Sequence, residues 1–147
     1  MGFSEDIRRF TAKTAASHNK IVRAATIELF SSVIKMTPVG DPDGWKYPLL
    51  APPGYVGGRA RGNWQASVGS PADGEVERLD QSGGSTISDA EGKTPQGAGQ
   101  VTYLTNSLPY IERLENGWSE QAPAGMVTGS MDRVSKIVAA AIEKNKV

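Results

Sequence analysis

From residue 4 to residue 36 the chain contains neither proline nor glycine, and apolar residues recur at helical spacing throughout. Ile7, Phe10, Thr14, Ile21, Ala25, Leu29, Val33 and Met36 form one stripe, broadened in its second half by Ile27, Phe30 and Ile34. The pattern predicts a single α-helix that stops at Pro38. Ser4, followed by Glu5 and Asp6, is the expected start, a capping hydroxyl with two acids at the positive end of the helix dipole. A helix of about 33 residues is roughly 50 Å long at about 1.5 Å per residue, longer than a domain of this size is wide. Residues 20–36 have a face broad enough to pack in a core, whereas residues 4–19 have a thin stripe interrupted by Thr14, Ser17 and His18. The first half is therefore expected to overhang and meet a neighbour.

A chain of 147 residues suits one domain with one core. Lys plus Arg and Asp plus Glu balance at 16 each, so no bulk field draws the chain to nucleic acid or an anionic membrane. Cysteine is absent, which excludes disulfides and thiolate chemistry and suits a reducing cytoplasm. No apolar run reaches the roughly 20 residues of a membrane span.

Residues 39–58 hold Pro42, Pro48, Pro52 and Pro53 among several glycines, a density that excludes a regular element, yet Trp45, Tyr47, Leu49, Leu50 and Tyr55 are embedded there. Such an arm either folds back over its own core or docks on a partner. Residues 63–68 alternate as a strand, and residues 75–79 are the expected antiparallel return after Pro71 and Gly74. Residues 80–99 are rich in Gly, Ser and Asp with almost no apolar side chain, and read as a mobile loop. Residues 100–105 alternate again as a third strand. Next comes a short helix, with Asn106 or Ser107 as its cap, Pro109 in its first turn, Tyr110, Ile111 and Leu114 on one face, and Gly117 at its left-handed stop. Trp118 follows as an apolar anchor. A last helix carries Met131, Val134, Ile137, Val138, Ala141 and Ile142, capped by Thr128 or Ser130, with Lys144 and Lys146 at its negative end. The order of elements predicts an α+β domain: a small antiparallel sheet packed against the long first helix and the last helix.

Chemistry-bearing residues are sparse. The lone histidine, His18, lies inside a predicted helix, so neither a Ser-His-Asp nor a Cys-His arrangement is expected. Asp41 and Asp43 beside Gly44 make a turn more readily than a calcium loop. Gly92-Lys93-Thr94 resembles the end of a phosphate-binding loop, but Ile87 stands where that loop's first glycine belongs. Glu112 and Glu115, spaced one helical turn apart, read as a solvated face rather than an acid and base. Arg59, Arg61, Asn63 and Trp64 could line a nucleic-acid groove. Alternatively, the arginines pair with carboxylates on an adjacent subunit at a strand edge. No cofactor or metal is expected.

The order Asn-x-Leu-Pro-Tyr at 106–110, Leu-Glu-x-Gly-x-Ser at 114–119 and Gln-Ala-Pro-x-Gly-x-Val at 121–127 resembles the neck and tail-completion proteins of long-tailed bacteriophages. Thr37-Pro38-Val39 and Arg59-Ala60-Arg61-Gly62-Asn63-Trp64 match the two halves of that family's upstream signature. The resemblance implies a non-enzymatic virion protein, assembled in the host cytoplasm, that forms a homo-oligomeric ring, sixfold like the tail, where head meets tail. Its partners would be further copies of itself, the tail tube and head-completion proteins, with DNA passing through the lumen and no membrane involved. Ile7 and Phe10 on the overhang, Trp45, Tyr47 and Tyr55 on the arm, and Arg59 and Arg61 would make contacts between subunits. Pro109, Tyr110, Leu114, Gly117, Trp118 and Pro123 would brace the subunit's own fold.

Overall fold

In the computed structural model, which describes residues 2–40 and 57–145, one α-helix takes up most of the first segment. This is α1 (Phe3–Met36), 34 residues long. It starts one residue before Ser4: Gly2 stands at the cap position, and no side-chain hydrogen bond caps the helix. The elements that follow are α2 (Arg59–Gly62), β1 (Gln65–Val68), α3 (Gly84–Lys93), β2 (Thr102–Thr105), α4 (Ile111–Glu115), α5 (Met126–Met131) and α6 (Val134–Asn145). The architecture is α+β, as the order of elements predicted. β1 and β2 pair antiparallel, Gln65 opposite Thr105 and Val68 opposite Thr102. The predicted arm at 39–58, with Trp45, Tyr47 and Tyr55, falls almost wholly outside the described residues.

The core forms where the second half of α1 meets the sheet and α5. Phe30, Val33 and Ile34 pack with Trp64, Ala66, Ala90, Ala122 and Met126, and Ile34 and Met126 have no exposed surface. Each side chain buried to that degree contributes on the order of 1.5–3 kcal/mol. α6 runs antiparallel to α1: the Ser130 hydroxyl is 2.9 Å from that of Ser32, and the Ser17 hydroxyl donates to the Asn145 carbonyl. Residues 3–16 of α1 lie beyond this cover and are exposed throughout.

Three expectations are corrected. Residues 75–79 are not the strand partner of residues 63–68. That segment is held by side chains instead: the Val76 N–H donates to Asn63 Oδ1 at 2.9 Å, and Arg78 donates to the Gly62 and Trp64 carbonyls at 3.0 Å each. Nor are residues 80–99 a structureless loop, since they contain α3. The Asp80 carboxylate accepts the N–H groups of Gly83 at 3.0 Å and Thr86 at 2.8 Å, and the Thr86 hydroxyl at 2.7 Å. With its first turn capped in this way, α3 buries Thr86 and Ala90, and Ile87 packs against the core. The predicted last helix is divided at Asp132 and Arg133 into α5 and α6, and its apolar stripe is only partly covered, with Met131, Val138 and Ile142 exposed.

α1 ends in a buried relay. Trp64 Nε1 donates to Thr37 Oγ1 at 2.7 Å, and that hydroxyl donates to the Val33 carbonyl at 2.7 Å. Thr37→Val leaves the buried indole N–H unpaired and is expected to cost about 1–3 kcal/mol in urea unfolding. In a Trp64→Phe background the same change should cost less. Equal losses in the two backgrounds would mean that the bond is not coupled.

Candidate functional site

The two halves of the upstream signature meet in space. Arg61, on α2, donates through Nε and Nη2 to the Thr37 carbonyl at 3.1 and 2.7 Å and through Nη2 to the Lys35 carbonyl at 2.9 Å, while its Nη1 donates to the Gln81 carbonyl. It thereby satisfies carbonyls at the end of α1 that the helix itself cannot. Burial lowers the Arg61 pKa, opposed by the nearby charge of Asp80. Asn63 is buried, its amide donating to the Arg59 carbonyl at 2.7 Å, and Trp64 is buried beside it. Arg61 is therefore an internal tie rather than an outward contact, and of the four residues proposed for a nucleic-acid groove only Arg59 is exposed. It lies 3.4 Å from Glu75 in an exposed ion pair.

The downstream motif also acts mainly on its own fold. Asn106 does not cap α4; its Oδ1 accepts the Leu108 N–H at 3.2 Å and its Nδ2 donates to the Ala60 carbonyl at 2.9 Å. Pro109 and Tyr110 precede α4, with Tyr110 at its cap position, and Ile111 and Leu114 pack on the core. The stop after α4 is as expected: Gly117 has φ 84°, its N–H donates to Leu114 at 3.1 Å, and the Trp118 N–H reaches Arg113 at 3.2 Å. Trp118 is not a buried anchor. It is 73 % exposed, with the Arg113 guanidinium 5.3 Å from the centre of its ring. Pro123 is exposed too, though its carbonyl lies 2.3 Å from where a Cβ on Gly117 would stand.

Glu115 has a role the sequence did not suggest. Its carboxylate accepts the Val127 and Thr128 N–H groups at 2.9 Å each and the Thr128 hydroxyl at 2.8 Å, capping α5 from a different element. Gln121 pairs with the backbone of Val39, accepting its N–H at 3.0 Å and donating to its carbonyl at 2.9 Å. Burial raises the pKa values of Glu115 and Asp80, but the N–H and hydroxyl donors around each outweigh it and hold both below the ordinary carboxylate value.

Among the described residues, the start of α1 leaves a row of large apolar side chains open to a partner. Phe3 is 79 %, Ile7 49 % and Phe10 64 % exposed, all on one helix face. His18 lies beyond them on α1 and is exposed, as is Glu112 on α4. Among the described residues no group of three or more His, Cys, Asp or Glu side chains could hold a metal ion, and no helix is long and apolar enough to cross a membrane. Comparison with protein-family models, with curated proteins and with solved structures finds no match.

Gly117→Ala and Gly69→Ala form a controlled pair, because both glycines have left-handed φ values, 84° and 85°, but only Gly117 is crowded. Gly69→Ala is expected to cost about 1–2 kcal/mol from the backbone alone, and Gly117→Ala clearly more in the same thermal melt. The carboxylate caps predict the acid limb. With folded pKa values below the unfolded one, the stability from Asp80 and Glu115 is complete above about pH 5 and is lost as pH falls through their lower folded values. Glu115→Gln should make that decline shallower in a pH series of urea unfolding; an unchanged slope would contradict the assignment.

Proposed function

We propose that this protein is a non-enzymatic structural subunit of a long-tailed bacteriophage virion, forming a homo-oligomeric ring that completes the tail and joins it to the head. The observation that carries this reading is the exposed apolar face of Phe3, Ile7 and Phe10 on a helix that outruns its own domain. A helix of about 14 residues is marginal alone in water, and most helical stability comes from packing of the apolar face. Docking on another subunit supplies that packing. The motifs behind the family resemblance are consistent with such a role, because Thr37, Arg61, Trp64, Glu115 and Gly117 hold the subunit together and leave the outer surface free for assembly. A tail-terminator ring capping the tube would use the same surfaces. A nucleic-acid module would have to do without Asn63 and Trp64, both buried.

On this reading the ring is sixfold, in keeping with tail symmetry, and DNA passes through its lumen without specific binding. Light scattering after size exclusion, over a concentration series with and without purified tail tubes, is expected to show a ring or a tube-bound species. The triple variant Phe3→Ser, Ile7→Ser, Phe10→Ser should melt at close to the wild-type temperature, since these side chains are exposed, yet remain monomeric and unbound. Wild-type protein that stays monomeric and indifferent to tubes would overturn the proposal.

A further inference from the structure

A groove of about 480 Å3 runs between α1 and α6, distinct from the overhanging stripe. Small side chains, Ala24, Ala140 and Ala141, line it together with Ile27 and Ile137. Its charged side chains are Arg23, Arg133, Lys136 and Lys144 against one acid, Glu28. The four ion pairs among the described residues involve none of Arg133, Lys136 and Lys144. Because α6 runs antiparallel to α1, Lys144 lies toward the Ser17 end of the groove, and Glu28 toward the other end, level with Arg133.

The overhang complements this groove in size and charge. It offers large side chains, Phe3, Ile7 and Phe10, where the groove offers alanines, the alternation that lets facing helices interdigitate. Asp6 is one helical turn from both Phe3 and Phe10 and so borders the stripe; Lys13 borders it one turn beyond Phe10. Asp6 and Lys13 are about 10 Å apart along their helix, and Lys144 and Glu28 are about 15 Å apart along the groove, a difference that lysine side chains span.

We propose that the overhang of one copy lies in the α1/α6 groove of the next, with Phe3, Ile7 and Phe10 over the alanines, Asp6 toward Lys144 and Lys13 toward Glu28. The contact is head-to-tail, so it closes into a ring when its rotation closes. The inference rests on the ring reading but adds a claim that can fail separately: the second copy, rather than another protein, fills the groove.

The chain has no cysteine, so introduced thiols are the only ones. Phe10→Cys and Ala140→Cys proteins are treated with a short bismaleimide, alone and mixed; Thr14→Cys with Ala140→Cys repeats the test with all three apolar side chains intact. Linked dimers in the mixtures, well above those from either protein alone, are expected. Equal linking of Phe10→Cys or Thr14→Cys with itself would show that overhangs pair with each other and would overturn the proposal. A wild-type ring without cross-linking in either mixture would overturn the groove contact while leaving the ring. Wild-type protein that remains monomeric with tubes present would remove both. As a charge test, Lys144→Glu should lose the larger species, and adding Asp6→Lys should restore it; loss without restoration would overturn the assigned orientation.

Discussion

Thr37 is where the long helix stops, and the rest of the domain is tied to that point. Its carbonyl accepts Arg61 and its hydroxyl accepts Trp64, so two residues three apart in the chain grip one residue at the helix end. The grip does two physical jobs. Arg61 satisfies carbonyls that the last turn of α1 leaves without partners, and Trp64 fills the core beside Phe30, Val33 and Ile34 while keeping its own N–H paired. β1 follows directly from Trp64, so the position of the sheet on α1 depends on this anchorage.

Two of the later helices, α3 and α5, are held by carboxylates that lie outside them. Asp80 starts α3 and Glu115 starts α5, each accepting backbone N–H groups of the helix it caps. Glu115 itself ends α4, so the start of one helix is built from the last residue of another. Short helices such as α4 and α5 have little stability of their own, and coupling them through one carboxylate makes them form together.

Among the described residues, the first part of α1 packs against no other element. Its apolar face continues the line of residues that α6 covers further along, and the described residues of α6 reach as far as Ser17. Among the described residues the packed part thus begins at residue 17, and α1 extends beyond it, the kind of element that subunit association completes.

The sequence by itself determined the long helix, its stop before Pro38, the location of both strands though not their pairing with each other, the left-handed turn at Gly117 and the α+β class. Each rests on local signals: apolar period, proline and glycine chemistry, alternation. The tertiary structure alone decided the rest. Residues 80–99 look too polar to order, but α3 needs little apolar surface once Asp80, outside the helix, caps it and Ala90 and Thr86 fit a core made by other segments. The strand-like residues 75–79 lose their partnership because Asn63 and Arg78 bind the neighbouring backbone through side chains, a pairing that no alternation reveals. Trp118 looks like an anchor but is left outside, and Arg61 looks like a surface charge but turns inward. Whether a side chain is covered, and by what, depends on segments far away in the chain, and no local pattern carries that information.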